Sequence, residues 1–296
     1  MKTGALALPA SPTRVADFLA LTKPRLNSLV VVTAGVGFYL GSTGALDLVT
    51  LLHAVLGSAL VAGGAAAFNQ VSERDIDETM ERTRRRPIPA GRIQPSEARM
   101  FATVLAVVGT AELALATNWL ATVVALVALV SYVAIYTPLK RWTPWATLVG
   151  AVPGALPPMI GWAAARGELN AGAWVLFCIV FLWQLPHFHA LAWMYREDFR
   201  RANIPLVAVL DRDGSRTSTH ALVYTIALLP ISLTPAAVAL SGGLYVIGAS
   251  AAGIAFLFLA VRFALRHSAD RARALFLGSL IYLPVLWSLL VVERVF

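Results

Sequence analysis

The sequence predicts an all-α integral membrane protein, with nine transmembrane helices in a bundle and a weak four-helix internal repeat. Three observations lead there. The 296 residues are 58% hydrophobic and only 14% charged, with a mean hydropathy of +0.72, against about 25% charged in soluble globular proteins. Apolar runs of the roughly 20 residues needed to cross about 30 Å of hydrocarbon recur along nearly the whole chain. They lack the short alternating pattern of barrel strands, so their backbone groups must be satisfied within helices.

The runs fall at 24–42, 47–68, 97–116, 118–137, 144–163, 172–192, 219–240, 243–264 and 274–293. Ahead of them, residues 1–23 carry Lys2 and Arg14 around "GALALPASP". That run is too short for a signal-peptide core, and the segment is expected to be a cytoplasmic tail. The membrane domain then occupies 24–293, and 294–296 form an external carboxyl terminus. Long charged connections alternate with short, nearly uncharged ones, which puts 22 of the 24 lysines and arginines on one side and leaves only Arg166 and Arg294 opposite. By the positive-inside rule that side is cytoplasmic, so the amino terminus and the loops 69–96 and 194–217 face the cytoplasm of a plasma (inner) membrane.

This distribution also accounts for the net charge of +8, and nucleic acid is not an expected partner. The single cysteine, Cys178, lies inside an apolar span and is expected to pack there; neither a disulfide framework nor a thiolate metal cluster can be built from it. No glycine-rich nucleotide fingerprint and no His-Glu-x-x-His pattern is present.

The second run passes into "NQVSERDIDETMERTRRRPIPAGR" (69–92), which holds five acids and six arginines. Nothing between Phe68 and Met80 breaks a helix. On a continuing helix Asn69, Glu73 and Asp77 recur every four residues and form one stripe. Three oxygen-bearing side chains on one face suit a hard cation such as Mg²⁺, which commonly shares its shell with a substrate phosphate. Arg82, Arg84, Arg85 and Arg86 crowd the next residues, more cations than the acids alone require. A metal-bound diphosphate would use both features, its oxygens meeting metal on one side and guanidinium forks on the other.

A second polar loop has the same grammar. "WQLPHFHALAWMYREDFRRANIP" (183–205) follows the sixth run, four helices later, with Glu197 and Asp198 among Arg196, Arg200 and Arg201. Two acidic helix ends facing one cavity could hold two metal ions against one diphosphate and activate it as a leaving group. An allylic diphosphate so held ionises, and its carbocation needs an apolar, water-poor channel.

These two stretches, with "LTKPR" (21–25) and "YTPLKR" (136–141), resemble the UbiA-type intramembrane prenyltransferases, and their wording is closest to the haem-modifying branch. The resemblance runs from about residue 20 to 293. It implies that Asn69, Glu73 and Asp77, with Glu197 and Asp198, bind Mg²⁺ and are the catalytic residues. It further implies that Arg82, Arg86, Lys140 and Arg196 contact the diphosphate. Gln70 and Glu73 stand where many relatives have aspartates, a departure that fits the haem branch.

The reaction so implied transfers farnesyl from farnesyl diphosphate to a vinyl group of haem b, with addition of water, giving haem O for oxidase assembly. Haem A synthase or an oxidase assembly factor would be a partner, alongside membrane lipid. His187 and His189 are candidate haem contacts, because porphyrin iron commonly takes a histidine. Two residues apart, they diverge by roughly 200° on a regular helix. His53, inside the second run, is a weaker candidate, and His220 and His267 read as loop-end or interface residues. Trp142, Trp145, Trp162 and Trp174 read as an interfacial belt, with Trp183 and Trp193 as candidate substrate contacts. A prenyltransferase acting on a hydroxybenzoate-like ring is the runner-up. An anion transporter is the alternative of another class, although transporter sites lie near the midplane and these acids lie at one face.

Overall fold

The computed structural model describes residues 13–295. Residues 1–12 of the expected tail and Phe296 lie outside the described residues. A short helix α1 (Arg14–Leu21) precedes α2 (Pro24–Gly41), α3 (Leu48–Ser72), the short α4 (Arg74–Thr79), α5 (Pro95–Ala116), α6 (Trp119–Leu139), α7 (Ala146–Arg166) and α8 (Ala171–Met194). After the small helices α9 (Arg196–Arg201) and α10 (Val207–Leu210) come α11 (Ser215–Ala237), α12 (Gly243–Leu265) and α13 (Ala269–Val295). Each of the nine expected runs lies on one long helix. Eight of these are long and apolar enough to cross a membrane. The remaining one, α2, is 18 residues long and opens on Pro24, Arg25, Asn27 and Ser28, which lower its apolarity.

Local chemistry sets the helix boundaries. Asp47 accepts from the amides of Val49 and Thr50 at the start of α3, and Gln94 and Glu97 form a reciprocal capping box around Pro95 at the start of α5. Asn118 caps α6 and also donates to the carbonyl of Ala163 at 2.7 Å, tying α6 to α7. Buried Asp211 accepts from the amides of Gly214 and Thr217 and so fixes the entry to α11.

Each long helix packs on its sequence neighbour, α2 also crosses α7, and α13 returns to α2, where Arg294 donates to the carbonyls of Tyr39 and Ser42. The α2–α7 crossing brings backbones together: a Cβ on Gly37 would lie 2.0 Å from the Pro158 carbonyl oxygen, and one on Gly161 would lie 1.8 Å from that of Ala34. Small residues at such crossings let dispersion act between helices whose lipid-facing sides gain nothing from burial. The outward surface is apolar, as lipid requires, with Leu52, Val107, Ile247 and Ile254 exposed. Trp142, Trp145 and Trp174 are exposed as a belt requires, but Trp162 is not part of it. It is 1% exposed and fills the core beside Phe38, because α7 is covered by α2 at that level.

One helix is irregular at its charged end. Residues Ser131–Tyr136 of α6 form a π-turn, a widening that accommodates one extra residue and is frequent at functional sites. Tyr132 and Tyr136 stack within it, ring centroids 5.4 Å apart.

Candidate active site

The helix expected to run through 69–80 is bent. Glu73 leaves helical geometry (φ −101°, ψ 10°) and separates α3 from α4. The four-residue ladder nevertheless persists, from Glu73 N to Asn69 O at 2.9 Å and from Asp77 N to Glu73 O at 2.7 Å. The stripe therefore survives the bend, with Asn69, Glu73 and Asp77 all buried.

Each member of the stripe meets a cation brought from elsewhere. Lys23 Nζ donates to Asn69 Oδ1 at 2.7 Å, Lys140 Nζ to both Glu73 oxygens at 3.1 and 3.2 Å, and Arg86 to Asp77 Oδ2 at 2.7 Å. Burial alone would raise the Glu73 pKa, but Lys140 and Lys23 outweigh it and hold the carboxyl below its ordinary range. The Lys23 ammonium, crowded by burial and by Arg86, is pulled down to about 7. Thr83 donates to the Asp77 carbonyl at 2.8 Å and closes the arginine loop over this turn. Asp75, on the outer side of α4, is held instead by both Nη atoms of Arg141 at 2.7 and 2.8 Å.

The second loop arrives from α8 and α9. Asp198 Oδ1 accepts from the Glu81 amide at 3.4 Å, and Arg82 lies 5.4 Å from the centroid of the Tyr195 ring. A cavity of about 370 Å³ lies between these groups. Glu197 is at its exposed rim and pairs with Arg200 at 2.8 Å. Arg196 is turned onto the Trp193 ring, 4.2 Å from its centroid. The structure thus brings Asn69, Glu73, Asp77, Arg86 and Lys140 together and puts Arg82, Asp198 and, at the rim, Glu197 around a neighbouring cleft, whereas Arg196 stands apart. No three His, Cys, Asp or Glu side chains among the described residues form a ready-made metal cluster. The fit to a cation rests on another feature: Asp77 Oδ1 is buried and has no hydrogen-bond partner among the described residues, an arrangement costly for a carboxylate unless something positive meets it.

Beneath the stripe a mostly apolar cavity of about 330 Å³ enters the bundle. It begins at Lys23, Asn27 and Tyr136 and follows α3 down from Ala66 through Ala62 to Ser58. From α8 it receives Trp183 and His187. His187 Nδ1 lies 2.7 Å from Ser279 Oγ, and Trp183 Nε1 donates to the Ser279 carbonyl at 2.7 Å. His189 points elsewhere, against Tyr224 and His220 at ring separations of 5.9 and 5.3 Å. Pro186 leaves α8 continuous, so the two histidines diverge as a regular helix dictates.

Three groups at this site were not among the candidates: Lys23, Tyr132 and Tyr136. "LTKPR" offered the only signal for Lys23, a lysine just ahead of a span. Its backbone is left-handed (φ 49°) although proline follows, a sparsely populated conformation for a residue with a side chain.

The fold and this site define a polytopic membrane protein with a charged site at one end of a helical bundle and an apolar channel that begins beside it at Lys23. The "UbiA prenyltransferase family" description matches residues 30–289, and the chain belongs to that family. It is 44% identical over 287 residues to protoheme IX farnesyltransferase of Solibacter usitatus, covering 94% of this chain and 98% of that one. It is 42% identical over 289 residues to the protein of the same name from Opitutus terrae, covering 97% and 98%. The solved structure of a digeranylgeranylglyceryl phosphate synthase superposes with a TM-score of 0.79 at 16% identity, covering 95% of this chain and 98% of the other. A UbiA homolog from Archaeoglobus fulgidus bound to GPP and Mg²⁺ gives 0.67 at 15% identity, with 93% and 99% covered.

Proposed function

We propose that this protein transfers a farnesyl group from farnesyl diphosphate to a vinyl group of haem b, with addition of water, to make haem O. One observation carries the reading: an acidic stripe is matched by cations from three other segments, and one of them, Lys23, also stands at the head of an apolar channel that reaches a histidine. Relatives at 42–44% identity over nearly the whole chain bear the name protoheme IX farnesyltransferase, and this supports haem over an aromatic ring or a transported anion.

Asn69, Glu73 and Asp77 would hold Mg²⁺, with Asp198 as a ligand from the facing loop and Glu197 at its rim. Bound there, Mg²⁺ supplies Lewis-acid stabilisation of the charge that develops on the departing diphosphate. Lys23, Lys140, Arg82 and Arg86 bind the diphosphate oxygens, Arg196 contributing from the rim; Lys140 and Arg86 exchange their present carboxylate partners, and Lys23 its Asn69 amide oxygen, for the substrate. The channel takes the farnesyl chain, orients its allylic carbon toward the charged mouth and excludes water from the cation. As the C–O bond breaks, its electron pair leaves on the diphosphate. The vinyl terminus bonds to the allylic carbon, and water adds at the ring-side carbon with loss of a proton.

His187 supports a haem contact: it faces the channel, and Ser279 orients its ring. His187→Ala is expected to weaken haem binding about tenfold or more in a Soret titration, and His189→Ala to leave it within about twofold; unchanged binding in both variants would remove histidine ligation from the scheme. The 1–23 segment, the charged loops and this mouth are assigned to the cytoplasmic side of the inner membrane, the carboxyl terminus to the outside, and haem A synthase or an oxidase assembly factor to the receiving end of the product.

The test is a mass-spectrometric assay of purified protein with haem b, farnesyl diphosphate and Mg²⁺, alongside an EDTA control. A haem product gaining farnesyl plus water only when Mg²⁺ is present is expected. Prenylation of a hydroxybenzoate in its place would overturn the haem assignment.

A further inference from the structure

The first helix, α1, is patterned the wrong way round for a segment in water. Val15, Ala16, Leu19 and Ala20 are exposed, whereas the acid Asp17 is 4% exposed and Leu21 is fully buried. A helix at an aqueous surface shows the reverse. Its apolar side is continuous with the lipid-facing surface of α5: Phe18 meets Phe101 edge-on at 5.1 Å, and Met100 and Val104 in the same turns of α5 are exposed. Arg25 and Arg99 are exposed nearby, cations suited to anionic headgroups.

The inner side of α1 is bolted to the arginine loop. Arg92 Nε donates to both Asp17 oxygens at 3.0 Å, and the same guanidinium donates to the Arg85 carbonyl at 3.1 Å. Gln70, next to Asn69, donates to the Leu21 carbonyl at 2.8 Å. Arg85 is the immediate neighbour of Arg86, which holds Asp77. One buried carboxylate therefore joins a lipid-facing helix to the backbone that carries Arg82 and Arg86.

We propose that α1 lies in the headgroup interface of the bilayer, on the side of the charged loops, and that Asp17 is a positioning residue which, through Arg92 and the Arg85 carbonyl, holds the diphosphate-binding arginines in register. The second half of this proposal rests on the diphosphate reading of that loop. The bilayer is the occupant because the exposed apolar side of α1 continues the surface that lipid already covers on α5.

Two measurements test it. In a Cys178→Ala background, Val15→Cys labelled with bimane and reconstituted in phosphatidylethanolamine–phosphatidylglycerol vesicles should be quenched by a shallow doxyl lipid and little by aqueous iodide. Quenching by iodide alone would put α1 in water, and protection from both would put a second copy or another protein on it; either result overturns the placement. Asp17→Asn should raise the KM for farnesyl diphosphate about tenfold through misplaced arginines, with kcat and haem affinity within about twofold, and Asp17→Glu should restore KM. An unchanged KM, or a loss confined to kcat, overturns the positioning role. If the wild-type protein shows no Mg²⁺-dependent turnover, the diphosphate reading fails with the role of Asp17 in it, while the quenching result still decides where α1 lies.

Discussion

Asp77→Asn is expected to cut turnover by about 10²–10³-fold, the range seen when one electrostatic contact to a developing charge is removed, while the protein remains folded. Asn keeps the volume and one acceptor for Arg86, but it removes the charge that the buried Oδ1 offers to a cation. The stability cost should be about 2 kcal/mol, typical of a hydrogen bond to a charged partner, because the Arg86 side chain is 22% exposed and can rehydrate. The internal control lies two residues away. Asp75 pairs with Arg141 at an exposed surface, where an ion pair contributes about 1 kcal/mol or less, so Asp75→Asn should leave turnover within about twofold. Product formation by mass spectrometry, with size-exclusion elution and thermal unfolding on the same samples, separates chemistry from folding. Equal losses in the two variants would mean that the loop needs charge in general and that the Asn69–Glu73–Asp77 stripe has no special role.

Gly161→Val should abolish folded protein or lower its stability by about 3 kcal/mol or more, at or beyond the upper end of core overpacking. The obstacle is backbone: the added Cβ would meet the Ala34 carbonyl at 1.8 Å, and a carbonyl inside a helix cannot turn aside as a flexible side chain does. Gly37→Val should behave alike against Pro158. Gly243 is the contrasting case, with nothing within 4 Å of its Cβ position, and Gly243→Ala should stay within about 0.5 kcal/mol. Detergent-solubilised yield and melting temperature read both. A normal melting temperature for Gly161→Val would show that the α2–α7 crossing is looser than these distances imply.

The sequence revealed what depends on periodicity. Membrane spans follow from hydropathy because lipid penalises any other arrangement, and the Asn69–Glu73–Asp77 stripe could be read because helical spacing outlasts the bend at Glu73. The divergence of His187 and His189 was legible for the same reason. What depends on contacts between distant segments was not. That Glu73 meets Lys140, or that Lys23 reaches Asn69, is set by how α2, α3 and α6 pack and by a left-handed residue at position 23. The tail expected through residue 23 turns helical at Arg14 and joins the site through Asp17, since a short helix that exposes its apolar side looks, in sequence, like ordinary amphipathicity. Trp162 reads as an interfacial tryptophan by its place near a span end, and only the α2–α7 crossing puts it in the core.

The π-turn at Ser131–Tyr136 carries a consequence for how such a site can arise. A single residue inserted into an α-helix can be absorbed as a π-turn, whose wider turn takes up the rotation of about 100° that the insertion would otherwise impose on everything beyond it. In α6 the wide turn lies just ahead of Thr137 and Lys140, which face Asn69 and Glu73, while Ala121 and Ala125 upstream stay packed in the core. An extra residue taken up in this way leaves both the core-facing half of α6 and the Lys140–Glu73 pair in place.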